Sequence, residues 1–304
     1  MTLVNLADNV HIIVSGEFPY CNTLVILDEE LVVIDPGCRL ESLRKLLSNN
    51  SLDLKDVDTV ILSHIHPDHL THAMRIHRLS DCRLAANVIT APLFNDKEKM
   101  KQYLGFTPEH PVRKSWEQLV DAKMFGALDD GKIDEELYDG DEMGVGNLTL
   151  RINYTPGHLP DHMCIEIVEI NAIFAADIDC TAFGPFYGHP NSSIPDFLSS
   201  IRNLQTTNYD YYISGHTNKP IVEDYRRALA EYAQKIQYRE DIIFASIANG
   251  AKTIIDIILM PVIYPSLANT VFMQFEKWMV EHHIKSLIDR GLVEVINNEL
   301  VPVR

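Results

Sequence analysis

The run Ile61–Leu70 reads ILSHIHPDHL, an apolar stretch that ends in three histidines and an aspartate between His64 and His69. A lone histidine is ordinarily a core or surface residue, whereas four potential ligands packed this closely form a metal-binding pattern. Alternate residues of an extended segment point the same way. His64 and His66 can therefore grip one cation, while the turn at Pro67 swings Asp68 and His69 toward a second. Imidazole nitrogen and carboxylate oxygen without sulfur suit zinc, manganese or iron rather than copper(I) or an iron–sulfur cluster.

Four residues cannot close two metal shells, so further ligands are required at other strand ends. The sequence supplies them: TPGH places His158 after a strand and a tight turn, FAAD places Asp177 after another, and ISGH places His216 after a third. The chain around them alternates β-rich runs with helical stripes. VHIIVSG and NTLVILDEELVVIDPG read as strands, the latter a hairpin turning at Asp28-Glu29-Glu30 and ending at Asp35. Leu40, Leu43, Leu46 and Leu47 form the stripe of a helix, and VDTVILS is the strand that delivers the histidines. Further strands are LTLRINY, MCIEIVEI and AIFAADID, the last two joined by a turn at Glu169–Asn171; a helix capped by Ser193 or Asp196 precedes a short strand ending at His216.

Two segments stand apart. Residues 92–136 read as a helical insertion of about two helices, carrying many charges and Trp116, and their composition favours a solvated excursion over a wall of the site. Residues 221–304 read as helices followed by a small hairpin turning at Asn297-Asn298, a winged-helix-like appendage to a main domain of residues 1–220. With no low-complexity linker between them, the appendage is expected to pack on the main domain.

Composition narrows the function. A formal charge of −17 over 304 residues repels nucleic-acid phosphates and anionic membranes. Residues 221–304 carry nine Lys/Arg against eleven Asp/Glu and no basic stripe, so an interaction or homodimerisation role suits the appendage better than nucleic-acid binding. Five scattered cysteines form no C-x-x-C pair, which fits a reducing cytoplasm. No leader pattern opens the chain, and no run approaches the ~18–20 apolar residues of a membrane span.

In the order and spacing of VVIDPG, HIHPDH, TPGH, FAAD and ISGH, the chain over residues 8–220 resembles the metallo-β-lactamase superfamily. That resemblance implies an α+β fold, a four-layered αββα sandwich with its site on one edge between two sheets. It implies two divalent metal ions, zinc foremost, with His64, His66 and His158 on the first, Asp68, His69 and His216 on the second, and Asp177 bridging. Asp35 would orient ligand histidines. TPGHLPDH matches the T-P-G-H-x-x-x-H run of glyoxalase II-like members, which puts His162 near the site in a supporting role. Cys180 does not match a ligand position, and His72 and His77 are expected to be bland.

Two cations can share a water and lower its pKa toward neutrality, so a metal-dependent hydrolase attacking with hydroxide is the expected function, with Asp68 or Asp177 handling the proton. The loop DIDCTAFGPFYGHP brings Phe183, Phe186 and Tyr187 beside the site; an apolar or aromatic small-molecule acyl substrate suits it, and the Tyr187 hydroxyl is expected to donate to the oxyanion of a thioester, ester or lactone. A metal-dependent phosphodiesterase or nuclease, an iron redox enzyme, and a metal-binding module without turnover are the alternatives.

Overall fold

The computed structural model describes residues 2–15, 18–124, 129–260 and 262–303. Seven strands form one sheet in sequence order: β1 Thr2–Ala7, β2 Val10–Val14, β3 Thr23–Leu27, β4 Leu31–Ile34, β5 Thr59–Leu62, β6 Arg83–Asn87 and β7 Glu135–Leu137. Pairing is antiparallel from β1 to β4 and parallel from β4 to β7. The second sheet contains β8 Glu142–Val145, β9 Leu148–Tyr154, β10 Met163–Ile167, β11 Ala172–Phe174 and β12 Tyr211–Ile213.

The strands of the first sheet read as continuous apolar runs because both of their faces are buried. Successive side chains go to opposite sides. Ile12, Leu24, Ile26, Val32, Ile34 and Ile61 point inward, where they pack on Leu150, Ile152, Ile165 and Phe174 of the second sheet. Their neighbours Ile13, Val25, Val33, Val60 and Leu62 point outward, onto Leu43, Leu47, Ile76 and Phe94 of the helical layer. That layer contains α1 Leu40–Asn49, α2 Pro67–Leu70, α3 Ala73–Ser80, α4 Thr90–Phe94, α5 Lys97–Tyr103 and α6 Arg113–Met124.

The outer face of the second sheet is covered in the same way. Ile173 and Tyr212 share an apolar cluster with Phe197 and Ile201 of α7 Ile194–Gln205, Leu229 and Ile236 of α8 Tyr225–Ala248, and Met279 and Val280 of α10 Thr270–Asp289. The arrangement is the αββα sandwich that the resemblance implies. The short α9 Ile254–Ile258 and the hairpin of β13 Val293–Ile296 and β14 Glu299–Pro302 complete the chain, with Asn297 and Asn298 both at positive φ in the turn. α8 to α10 lie in one continuous core with α7 and the sheet, so the C-terminal helices are packed onto the sandwich.

Two readings of the sequence need correction. A strand missed at the N-terminus, β1, pairs with β2 along the sheet edge. The insertion is three helices, α4 to α6, and its apolar side is buried: Leu104, Phe106, Trp116 and Val120 are each at most 4% exposed. The charges that suggested a solvated excursion occupy only the other side, where Arg113 and Lys101 pair with Glu98 and Glu117. The expected extension of the second of these helices through residues 125–128 lies outside the described residues.

Candidate metal centre

Five strand ends meet on one edge of the sandwich. β4 leads to Asp35, β5 to Ser63-His64, β9 through Thr155-Pro156-Gly157 to His158, β11 to Asp177 and β12 to His216. Two glycines let these segments touch. A Cβ at Gly37 would strike the Asp68 carbonyl, and one at Gly157, where φ is +133°, would enter the backbone of Phe197. Ala176, immediately before Asp177, is held at φ +44°, a conformation that non-glycine residues adopt only when their surroundings impose it.

The seven predicted ligands converge as two groups, one of His64, His66, His158 and Asp177, the other of Asp68, His69 and His216. Asp177 stands between them. Its Oδ2 is 3.2 Å from His158 Nε2 and 3.9 Å from both His64 Nε2 and His66 Nδ1, while its Oδ1 is 2.9 Å from His69 Nε2 and 3.2 Å from His216 Nε2. Asp68 Oδ2 lies 3.6 Å from His216 Nε2.

The outer hydrogen bonds decide what the ring nitrogens can do. His158 Nδ1 donates to the Phe186 carbonyl at 2.8 Å and His69 Nδ1 to Asp35 Oδ2 at 2.6 Å, since these oxygens only accept. The Ser63 hydroxyl donates to Asp35 Oδ2 at 2.6 Å and so takes the His64 Nδ1 proton at 2.9 Å. All three rings thereby turn Nε2 inward, and in His64 and His158 that nitrogen carries a bare lone pair. His64 Nε2 and His158 Nε2 lie 3.3 Å apart, and His69 Nε2 and His216 Nε2 3.1 Å apart. Burial holds the His64 and His158 imidazoles well below their ordinary pKa, which favours the neutral ligand form. His66 turns Nδ1 toward His158 Nε2, at 2.9 Å, and leaves its buried Nε2 without a partner.

Facing lone pairs and carboxylate oxygens repel unless a cation lies between them, so the residues fit a divalent metal pair. None of the five cysteines contributes to either group, and the donor set is nitrogen and oxygen throughout.

The supporting residues fall into place around this set. Asp35, fully buried, accepts from Ser63 N and Ser63 Oγ as well as from His69, and so steadies one histidine of each group. His162 accepts the Asp177 amide proton at Nε2, at 3.2 Å, and its Nδ1 meets Thr155; both nitrogens are used, which leaves it no lone pair for a metal. Cys180 is a free, half-buried thiol, and His72 is buried with its Nε2 donating to the Cys38 carbonyl. Asp161 escaped the reading of TPGHLPDH, yet its buried carboxylate accepts from Ile65 N, Thr90 and Tyr103, pinning the HIHPDH loop from across the sandwich. Burial raises its pKa above the ordinary carboxylate value.

Tyr187 requires correction. Its side chain is fully buried on the far side of the loop from the metal-ligand set, with its hydroxyl 2.8 Å from His283 Nε2 and 3.2 Å from Arg239 Nη1. Phe186 lines the cavity, whereas the Tyr187 ring packs on His282 and His283 of α10. Two residues that sequence reading passed over do face it: Asp179, whose carboxyl is pushed up to about 6 by burial, and His189, whose ring centroid is 4.8 Å from that of His66.

A cavity of about 340 Å³ opens onto His66, Asp68, Asp177 and His216. Its walls come from both segments set apart by the sequence: Leu104, Trp116 and Leu119 of the insertion, and Tyr264, Phe272 and Phe275 of the C-terminal part. Among the described residues, no helix is long and apolar enough to cross a membrane.

Comparison with known proteins agrees with this geometry. Residues 16–216 match the sequence model of the metallo-beta-lactamase superfamily. An uncharacterized protein of Aquifex aeolicus is 24% identical over 61% of this chain and 78% of its own length. The atrochrysone carboxyl ACP thioesterase of Aspergillus fumigatus is 24% identical over 72% of this chain, an alignment that spans 57% of the thioesterase. Among solved structures, a metallo-beta-lactamase family protein of Thermus thermophilus superposes with a TM-score of 0.77 at 21% identity, over 98% of this chain and all of its own. A beta-lactamase domain protein of Burkholderia ambifaria does so with 0.72 at 15% identity, over 99% and 93%. The chain belongs to the metallo-beta-lactamase superfamily of hydrolases.

Proposed function

We propose that this protein hydrolyses a carboxylic thioester, ester or lactone that carries an apolar or aromatic acyl group, using two divalent metal ions held by the seven ligands. The observation that carries this reading is the cavity, whose walls are mainly apolar and which reaches the His/Asp cluster at one end, with Asp179, Thr181 and His189 as its other polar lining. At the ~30 Å³ of a water-sized group, its volume suits an acyl part of roughly ten heavy atoms. The relative named as an acyl-carrier thioesterase supports the acyl reading. The phosphodiesterase alternative finds no support in an apolar pocket on a chain of charge −17.

Zinc, manganese or iron bound here supplies Lewis acidity and activates water. The protein does the rest. Asp35, Ser63 and the Phe186 carbonyl hold the ligand rings in the tautomers described, Asp68 presents a carboxylate to the cavity beside His216 for proton transfer, and the apolar walls seat the acyl chain and exclude water.

The test is a hydrolysis screen of the metal-loaded protein against acyl thioesters of increasing chain length, aryl esters, lactones and bis-p-nitrophenyl phosphate. Chelator-sensitive turnover of an acyl substrate, rising with chain length until the cavity is filled, is expected. Turnover of the phosphodiester alone would overturn the proposal.

A further inference from the structure

The backbone from Asp177 to Tyr187 lines the cavity yet contains no helix or strand, so its carbonyl groups must find partners outside the sheets. They find them on one face of α8. Tyr232, Lys235 and Arg239, spaced i, i+3 and i+7, project to the same side of that helix. The Tyr232 hydroxyl donates to the Asp177 carbonyl at 3.1 Å, and Lys235 Nζ donates to the Ala182 carbonyl. Arg239 donates from Nη2 to the Phe183 carbonyl and from Nη1 to the Pro185 carbonyl, both at 2.6 Å.

Arg239 is only 4% exposed, and its guanidinium spends these bonds on neutral backbone oxygens while stacking on the rings of Phe183 and Tyr187. Charge-assisted donors of this kind hold their acceptors more firmly than neutral ones do. Between the anchored Pro185 and Tyr187 sits Phe186, whose carbonyl takes the Nδ1 proton of His158.

We propose that Arg239 is a positioning residue for the metal cage: by fixing the Phe183 and Pro185 carbonyls it holds the Phe186 carbonyl in place, and through it the tautomer and orientation of His158. Helix α8 thereby controls the affinity of the His64–His66–His158 site through the loop, although Arg239 lies 56 residues beyond Phe183 in the sequence. This inference rests on the proposed metal binding.

The test is zinc affinity, read by chelator competition on Arg239→Met, which keeps much of the stem and removes the donors, and on Arg239→Lys, which keeps the charge but offers one nitrogen for two carbonyls. Loss of a partner to a ligating histidine weakens metal binding about 10–100-fold. Because Arg239 acts through Phe186, about tenfold weakening of one zinc equivalent is expected, the other remaining at wild-type affinity. Circular dichroism and the melting temperature of the metal-free proteins report folding separately; should Arg239→Met not fold, Arg239→Lys is judged by the same criterion. Wild-type affinity at both sites in a folded variant, or equal weakening at both, overturns the inference alone. Failure of the wild-type protein to bind zinc, manganese or iron overturns the proposed function and this inference with it.

Discussion

His64 Nε2 and His158 Nε2 face each other at 3.3 Å, although the other nitrogen of each ring is already engaged by an oxygen that takes its proton. Two lone pairs aimed at one point repel, and a cation between them relieves that repulsion. Metal binding is therefore expected to be linked to folding stability, since ligand held by the native state alone stabilises it. Zinc at about a hundred times its dissociation constant should add roughly 2.7 kcal/mol. A melting temperature that rises with added zinc and falls with chelator checks this; identical melting with and without metal would count against a metal centre.

Asp35 touches both halves of the cluster, His69 directly and His64 through Ser63. Asp35→Asn keeps the shape but turns one acceptor into a donor, which cannot serve both the Ser63 and His69 protons. Metal affinity is expected to fall about 10–100-fold. Stability should fall as well, by about 1–3 kcal/mol for a buried group left unsatisfied. Chelator competition and denaturant titration separate the two effects.

Much of this site was legible because its chemistry is concentrated where strands stop: Asp35, His64, His158, Asp177 and His216 each follow an apolar run, and that pattern survives without knowledge of the tertiary structure. What stayed hidden depends on contacts far apart in sequence. Asp161 matters because it reaches Ile65 N, and Tyr187 is occupied because Arg239 and His283 come from the C-terminal helices. The insertion was misjudged for a different reason. Its charges dominate the composition, whereas the apolar pair Trp116 and Val120, one helical turn apart, is the part that packs.

His72 gives the fold a pH dependence of predictable sign. It is 5% exposed, and burial lowers its pKa from 6.5 to about 4. Between these values the unfolded chain binds a proton that the folded chain does not, so stability is lost as pH falls from about 6.5 to about 4. The cost at the lower end is of the order of 3 kcal/mol. His72→Gln retains a donor for the Cys38 carbonyl without the titration, and its stability should vary less with pH across that window. An unchanged slope in denaturant titrations at pH 4.5 and 7 would show that His72 is not its source.

Phe275 and Leu119 meet the cavity from opposite segments, α10 and α6, so they are placed to set the length of acyl chain it accepts. Phe275→Ala removes a ring that packs on Phe186 at 5.4 Å between centroids, which deepens the cavity. Leu119→Trp fills it from the other wall. The first variant should shift the preferred thioester to longer acyl chains, and the second to shorter ones. Each methylene gained or refused in an apolar pocket changes kcat/KM by about tenfold or somewhat more. Opposite shifts in the chain-length profile, with zinc content unchanged, would assign the cavity to the acyl group; parallel losses at every chain length would mean that the substrate's acyl part lies elsewhere.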